Sequence, residues 1–148
     1  MQTNLPISDP IVIEVLLDAP VEKVWKAITD KEDMKKWYFD MEAFKPEVGF
    51  TFTFLGEKDG RKFVHLCTIK EVEINKMLSH TWTYEGVVGE TMVHFALYPQ
   101  GKQTKLRLTH EGLEMLPQTE DFAKENFMKG WTYIIETSLK NFITAGNI

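Results

Sequence analysis

The sequence predicts an α+β fold in which an antiparallel sheet packs against a long C-terminal helix. One strand and two short helices are expected first. Apolar and polar residues then alternate through residues 41–110, which is the period of a half-buried strand. From about residue 120 to residue 145 the apolar residues recur at gaps of three and four, which is the period of a helix. Strands followed by one long helix favour two packed layers.

Composition limits the class of protein. At 148 residues the chain is expected to form a single domain over residues 1–148. A formal net charge of −5 argues against a nucleic-acid or an anionic membrane surface, so neither is predicted as a partner. Cys67 is the single cysteine and excludes an internal disulfide. Residues 1–10 have no signal-peptide pattern, and no apolar run is long enough to span a membrane, so we expect a cytoplasmic protein.

The N-terminal part predicts one strand and two short helices. Ile11–Leu17 is rich in β-branched and aliphatic residues and predicts the first strand. Pro20 is well placed as the first residue of a short helix. Residues 29–32 have the pattern of a capping box, which predicts a second short helix capped by Thr29 that carries Trp37 inward.

The alternating region predicts five further strands joined by short turns. Glycine-bearing and proline-bearing segments separate them, and residues 56–60 are expected to form a hairpin loop. Short connections favour an antiparallel meander. The predicted strands cover residues 50–54, 63–72, 77–84, 91–98 and 104–110.

The C-terminal helix is predicted over about residues 120–145, with Thr119 as N-cap and Gly146 as the glycine after its end. Gly130 lies in the middle of this helix, where glycine costs about 1 kcal/mol relative to alanine, so we expect that extra space is needed there. The predicted inward stripe is Phe127, Met128, Trp131, Ile134, Ile135, Leu139, Phe142 and Ile143.

Four segments carry a family resemblance. They are APVEKVW at residues 19–25 together with Trp37, LSHTW at 78–82, TKLRLTHEG at 104–112, and Gly130 with Trp131. Over about residues 11–143 the chain resembles homologues of the heat-shock protein 90 ATPase activator, within the START-like (Bet v 1-like, polyketide-cyclase-like, SRPBCC) superfamily. The resemblance implies a helix-grip fold, in which a curved antiparallel sheet wraps the C-terminal helix around an internal cavity. It also implies binding of lipids, hormones or polyketides, and for a few members a cyclisation reaction.

The candidate site is the gap between sheet and helix, where aromatic faces are expected to converge. Two interpretations stay open: the rings fill the interior, or they line an apolar pocket in which His65, His80 or His110 orients a ligand. The predicted cavity-lining residues are Trp37, Phe52, Phe54, His65, Cys67, His80, Trp82, Phe95, Leu108, His110, Phe127, Trp131 and Ile135.

No motif predicts chemistry. The histidines and Cys67 lack the local spacing of zinc ligands, and nucleophile-elbow, metalloprotease, P-loop and dinucleotide fingerprints are absent from the sequence. We therefore predict no catalytic residue, no metal and no cofactor. The first hypothesis is a protein that binds a small apolar, aromatic or lipid-like ligand. The alternatives are a chaperone-interacting module, and a cyclase or hydrolase that uses the same cavity; whether the chain is an enzyme stays open.

Overall fold

The structure, a computed structural model, describes residues 9–58 and 60–146. The expectation that there is no signal peptide rests on residues 1–10, and residues 1–8 lie outside the described residues. Asp59 of the predicted hairpin loop also lies outside them. The strands are β1 (Ile11–Leu17), β2 (Thr51–Lys58), β3 (Arg61–Glu73), β4 (Met77–Tyr84), β5 (Thr91–Gln100) and β6 (Gln103–Glu111). Two short helices, α1 (Val21–Thr29) and α2 (Lys31–Trp37), follow β1, so the predicted element order is confirmed.

The six strands form one antiparallel sheet in the order β1-β6-β5-β4-β3-β2. The chain therefore crosses from one edge of the sheet to the other between β1 and β2, and α1 and α2 lie in that connection. Strands β2 to β6 are a meander of neighbours, as the short turns predicted. The sheet and the C-terminal helix make up the predicted α+β, helix-grip arrangement.

The inward faces of the strands follow the predicted alternation. On β4, for example, Leu78, His80, Trp82 and Tyr84 are all buried. On β6 Leu106, Leu108 and His110 have no exposed surface. A period of two places these side chains on one side of the sheet, where they pack with the helices in one core.

The C-terminal helix begins later than the sequence predicted. A 3₁₀ turn over Glu120–Phe122 and an extended Ala123 precede α3 (Lys124–Thr132). The predicted start near residue 120 with Thr119 as cap is therefore wrong for the long helix. The physical reason is tertiary: Arg61 pairs with Asp121, and Phe122 packs on the sheet, which holds this turn apart from the helix.

The middle of the C-terminal helix is a π-helix (Tyr133–Leu139), followed by α4 (Lys140–Ala145). The fully buried stripe is Trp131, Ile135, Leu139 and Ile143, which recur at every fourth residue. Four residues of a regular α-helix overshoot one turn by about 40°, so this stripe would rotate away from the sheet. The wider π turns bring it back into line. Met128, which the sequence placed in the stripe, is exposed.

Three local predictions need correction. Asp30, not Thr29, caps α2, because its carboxylate accepts a hydrogen bond from the Asp33 amide at 3.0 Å. Gly146 ends the helix in a right-handed conformation (φ −73°), so the left-handed freedom of glycine is not used there. Gly56 and Glu57 belong to strand β2 rather than to a loop, since Gly56 pairs with Phe63.

Hydrogen bonds tie the C-terminal helix to the short helices. The Ser138 hydroxyl donates to the Trp37 carbonyl at 2.6 Å, and the Lys23 ammonium donates to the Gly146 carbonyl at 2.8 Å. Within residues 9–58 and 60–146, no helix combines the length and the apolar character that crossing a membrane requires.

Candidate ligand cleft

A cleft of about 290 Å³ lies between the C-terminal helix and the end of the sheet formed by β2, β3 and β4. The long helix, the 3₁₀ turn before it, the segment after α2 and three strands all contribute to its wall. Most of the lining side chains are aromatic. They are Phe39, Gly56, Glu57, Phe63, His65, Trp82, Tyr84, Asp121, Phe122, Asn126, Phe127, Gly130, Trp131 and Ile134.

The wall on the sheet side is a continuous set of ring contacts centred on His65. The ring centroid of His65 lies 4.7 Å from that of Tyr84 and 4.9 Å from that of Trp82. Trp82 continues the series to Trp131 on the helix at 5.2 Å. Tyr84 continues it to Phe122 on the 3₁₀ turn at 5.0 Å. The rings therefore connect β3 and β4 with the C-terminal helix and the 3₁₀ turn, at distances that aromatic pairs favour.

Gly56 leaves room for the His65 ring beside β2. A β-carbon at this position would come within 2.5 Å of His65 Cε1, closer than any real contact. The Cε1 edge of the ring points at the glycine, and the ring stacks on Phe54 of the same strand at 4.3 Å. The residue type at 56 thus fixes the orientation of His65 in the cleft.

His65 is a neutral hydrogen-bond acceptor at the cleft wall. Its Nδ1 lies 3.2 Å from the carbonyl oxygen of Phe63. A carbonyl can only accept, so Nδ1 carries the proton and Nε2 keeps a lone pair. Burial lowers the pKa of His65 to about 4, an effect that the Phe63 and Phe54 carbonyls partly offset. The pKa has shifted through burial rather than through a carboxylate partner, so His65 is suited to orienting a ligand more than to proton transfer.

Two further polar groups of the lining are oriented by hydrogen bonds. The Trp82 indole donates to the Tyr84 hydroxyl at 2.9 Å, and burial raises the pKa of Tyr84 to about 12. The Asn126 amide nitrogen donates to the Glu120 carbonyl at 2.7 Å. That bond leaves the Asn126 amide oxygen as an acceptor.

Behind the cleft, a chain of hydrogen bonds connects the helix to the sheet through His110. The Trp131 indole donates to His110 Nδ1 at 3.0 Å, so the proton of the neutral imidazole is on Nε2. That Nε2–H donates to the Thr91 hydroxyl at 2.8 Å, which donates to the Trp82 carbonyl at 2.7 Å. Burial, followed by the nearby His80 and His94, lowers the pKa of His110 to about 3. His110 is therefore a structural group that anchors Trp131.

The predicted site residues separate into two sets. His65, Trp82, Phe127 and Trp131 line the cleft. The others are buried in the core outside the cleft lining: Trp37, Phe52, Phe54, Cys67, His80, Phe95, Leu108, His110 and Ile135.

Several lining residues were not predicted, and they come from the strands and the C-terminal helix as well as from the segments between elements. Phe39 follows α2 and stacks on Phe54 at 4.1 Å, and Phe122 lies in the 3₁₀ turn. Phe63 is two residues from His65, and Tyr84 is two residues from Trp82, so each pair shares a strand face. The strand period could therefore have predicted Phe63 and Tyr84 as lining residues. The sequence predicted that extra space is needed at Gly130, and a β-carbon there would meet nothing within 4 Å.

Chemistry by metal or thiolate has no support from the described geometry. Within the described part of the chain no group of three or more potential ligands could hold a metal ion. Burial raises the pKa of the Cys67 thiol well above its ordinary value, which favours the unreactive thiol form.

A serine–histidine–glutamate chain lies on the opposite face of the sheet. Ser79 Oγ is 2.7 Å from His94 Nδ1, and His94 Nε2 is 3.1 Å from Glu111 Oε2. The order of groups resembles a catalytic triad. Ser79 is only 1% exposed, however, so its hydroxyl cannot reach a substrate. The chain of bonds joins three neighbouring strands and is structural.

Comparisons place the chain among known proteins. A family model described as "Activator of Hsp90 ATPase homolog 1-like protein" matches residues 18–144. No curated protein sequence matches significantly.

Solved structures share the fold. CalU16 from Micromonospora echinospora is 27% identical, with a TM-score of 0.71 over 90% of this chain and 73% of its own. MLL2253 from Mesorhizobium loti is 25% identical, with a TM-score of 0.73 over 95% of this chain and 100% of its own. DynU16, a protein of the dynemicin biosynthetic locus, is 22% identical with a TM-score of 0.76 over 94% of this chain. This chain covers 48% of DynU16, about half of its length.

Proposed function

The chain belongs to the family of activator of Hsp90 ATPase homolog 1-like proteins, and from that premise we propose that it binds a small apolar, ring-containing molecule between its sheet and its C-terminal helix. The observation that carries the proposal is the aromatic lining of the cleft. Ligand sites in proteins are concave and mostly apolar, with a few polar groups that fix orientation. Here the rings supply the apolar wall, and His65, Tyr84 and Asn126 supply the polar groups.

The size of the cleft limits the ligand. At about 290 Å³ it is at the lower end of the range of roughly 300–1,000 Å³ that ligand pockets occupy. A compact aromatic molecule fits this volume better than a long acyl chain does. The flat rings of His65, Trp82 and Phe63 favour a planar guest, because offset and edge-to-face contacts contribute beyond burial alone.

The chaperone alternative has no such observation in its favour. Exposed large apolar side chains of the described residues belong to different strands, turns and helices, among them Val48, Leu55, Ile74 and Val88. Scattered exposed side chains are normal for a protein surface and mark no docking face by themselves. Interaction with a chaperone therefore stays an expectation drawn from the family.

Thermal-shift measurements with compact polycyclic aromatics, flavonoids and fatty acids test the proposal. A ligand that binds only the folded state adds about 2.7 kcal/mol of stability at a concentration one hundred times its Kd. For a domain of this size the melting temperature should rise by about 5–10 °C. We expect compact aromatics to give the largest shifts.

Gly130→Leu supplies the decisive variant. Asn126, Gly130 and Ile134 form one stripe at four-residue spacing along the cleft, and a β-carbon at Gly130 meets nothing within 4 Å. The leucine should fold normally and fill the cleft, which abolishes the shift. Lys129→Leu is the matched control, since Lys129 is exposed and does not line the cleft. Equal shifts in both variants, or no shift with any compound in the unmodified protein, would refute the proposal.

A further inference from the structure

Tyr38 carries a buried polar group that the fold itself does not use. Its hydroxyl oxygen is shielded from solvent and has no hydrogen-bond partner among the described residues. A buried polar group without a partner destabilises the folded state, and such groups are rare in native proteins. A ligand atom that bonds to the hydroxyl would account for its presence.

Tyr38 lies one side chain behind the wall of the cleft. Its ring centroid is 4.6 Å from that of Phe39 and 6.1 Å from that of Trp131, and both of these residues line the cleft, whereas Tyr38 does not. Burial raises the pKa of Tyr38 well above its ordinary value, and the nearby Cys67 and Tyr84 raise it further. Tyr84 also lines the cleft. The Tyr38 side chain is therefore next to the cleft, on its core side.

Phe39 is the part of the wall that can open toward Tyr38. It is the lining residue in closest ring contact with Tyr38, and it is half-buried. It belongs to residues 38–50, which join α2 to β2 without forming a helix or a strand. Its ring is held by stacking, as on Phe54 at 4.1 Å. A phenylalanine side chain can change rotamer without breaking a hydrogen bond, so no polar contact holds this ring in place.

The hydroxyl groups at this end of the cleft have protons to donate. The Tyr84 hydroxyl accepts the Trp82 indole proton at 2.9 Å and keeps its own proton. The Tyr38 hydroxyl has its proton and no acceptor among the described residues. A ligand group that satisfies these two hydroxyls has to be an acceptor.

No unpaired charge of the described lining faces the cleft. Asp121 is paired with Arg61 through two bonds, of 2.7 and 2.5 Å. Glu57 alternates on β2 with the inward-facing Gly56 and lies opposite Lys62, so its carboxylate is on the outer face of the sheet. A charged ligand group would therefore be buried without a counter-charge, which favours an uncharged acceptor.

We propose that Tyr38 is a ligand-binding residue whose hydroxyl donates a hydrogen bond to a carbonyl oxygen of an uncharged aromatic ligand; the inference rests on the proposed function and specifies its ligand class. The rings of the ligand occupy the cleft, and its carbonyl end displaces the Phe39 ring and reaches Tyr38. A carbonyl oxygen only accepts, so it matches hydroxyl donors. The Tyr38 hydroxyl gains its partner only in the complex, so the cost of burying it unpaired is recovered as affinity.

Two compounds of nearly the same shape separate the carbonyl from the ring system: 2-acetylnaphthalene and 2-ethylnaphthalene. Their affinities are measured by titration followed through tryptophan fluorescence, for the unmodified protein and for Tyr38→Phe. We expect Tyr38→Phe to weaken 2-acetylnaphthalene about three- to tenfold, which is the effect of one hydrogen bond, and to leave 2-ethylnaphthalene unchanged.

Infrared spectroscopy reports the hydrogen bond itself. With a ¹³C-labelled carbonyl, the stretching band of bound 2-acetylnaphthalene should lie at lower frequency than in an apolar solvent, because hydrogen bonding weakens the C=O bond. In Tyr38→Phe the band should move back toward the apolar-solvent value. A residue that only shaped the fold would not move this band selectively.

Tyr133→Phe is the matched control, because it also removes one phenol hydroxyl. Tyr133 is 63% exposed and does not line the cleft. Tyr133→Phe should change neither the two affinities nor the carbonyl band. Urea denaturation checks that both variants are folded.

The outcomes separate this inference from the proposed function. If Tyr38→Phe weakens both compounds equally, weakens neither, or leaves the carbonyl band in place, Tyr38 does not bind the carbonyl and the inference is overturned while ligand binding stands. The same holds if only 2-ethylnaphthalene binds. If neither compound binds the unmodified protein, both the inference and the proposed function are overturned.

Discussion

Tyr38 carries a buried hydroxyl that has no hydrogen-bond partner among the described residues. Burial also raises the pKa of its phenol well above the ordinary value. The ring itself is well packed, between Trp37 at 5.0 Å and Trp131 at 6.1 Å. Tyr38→Phe keeps the ring and removes the unpaired group. We expect the free energy of unfolding, measured by urea denaturation, to stay constant or to rise by about 1–3 kcal/mol.

Tyr84→Phe is the control for this prediction. The Tyr84 hydroxyl accepts the Trp82 indole proton at 2.9 Å, so its removal leaves a buried donor unpaired and should cost about 1–3 kcal/mol. If Tyr38→Phe is as destabilising as Tyr84→Phe, the Tyr38 hydroxyl has a partner and the described packing around it is wrong.

The buried histidines predict how stability depends on pH. Burial lowers the pKa of His65 and of His80 to about 4 and that of His110 to about 3, from 6.5 for the ordinary side chain. Between pH 4 and pH 6.5 the unfolded chain therefore binds more protons than the folded one. The stabilisation is complete above pH 6.5 and is lost as pH falls through this window. The slope should approach three protons, or about 4 kcal/mol per pH unit.

Urea titrations from pH 7 down to pH 4.5 measure this slope. His80→Leu removes one of the three imidazoles and should reduce the slope by about one proton. A free energy of unfolding that stays constant over the range would contradict the burial of neutral histidines.

Single residues of the site were predictable where a strand period fixed their direction. The alternation through β3 and β4 placed His65 and Trp82 on the inward side, and both line the cleft. Phe39 was not predicted because it follows α2 in a segment without a period, and Phe122 was not predicted because it lies in a 3₁₀ turn where the sequence predicted the start of the long helix. Their positions depend on tertiary contacts, such as the 4.1 Å stack of Phe39 on Phe54.

The C-terminal helix is the element on which the arrangement depends most. Trp131 is 2% exposed, packs against Trp82, and donates its indole proton to His110. Trp131→Ala would leave a large cavity and an unpaired imidazole, and should cost about 3–5 kcal/mol in urea denaturation. Tyr133→Ala on the same helix is the control, because Tyr133 is 63% exposed and should cost less than about 1 kcal/mol. Similar losses for both would mean that the helix presents a different face to the sheet.

The helix also shows where sequence patterns stop being informative. The gaps of three and four predicted the buried stripe of Trp131, Ile135 and Leu139, since side-chain direction follows from the period. The π turns were not predicted, because their sequence contains no proline, glycine or other local signal. The widening is a response to packing, which keeps a stripe of every fourth residue against the sheet. The break at Ala123 likewise depends on the distant pair of Arg61 with Asp121.

At the scale of the whole molecule, element order and strand alternation were enough to predict the layered fold. The cleft was harder to predict, because it is formed where the 3₁₀ turn, the helix and three strands meet. The expectation of one domain over residues 1–148 stays a prediction, which a single cooperative unfolding transition would support.

The most direct test of ligand binding in the cleft uses the four tryptophans of the chain. Trp82 and Trp131 line the cleft, whereas Trp25 and Trp37 belong to α1 and α2 and are not part of its lining. In a ¹⁵N-labelled protein each indole N–H gives its own nuclear magnetic resonance signal. On titration with a compact polycyclic aromatic compound, the signals of Trp82 and Trp131 should shift together and saturate, while those of Trp25 and Trp37 stay in place. Larger shifts at Trp25 and Trp37, or no indole response from the folded protein, would contradict binding in this cleft.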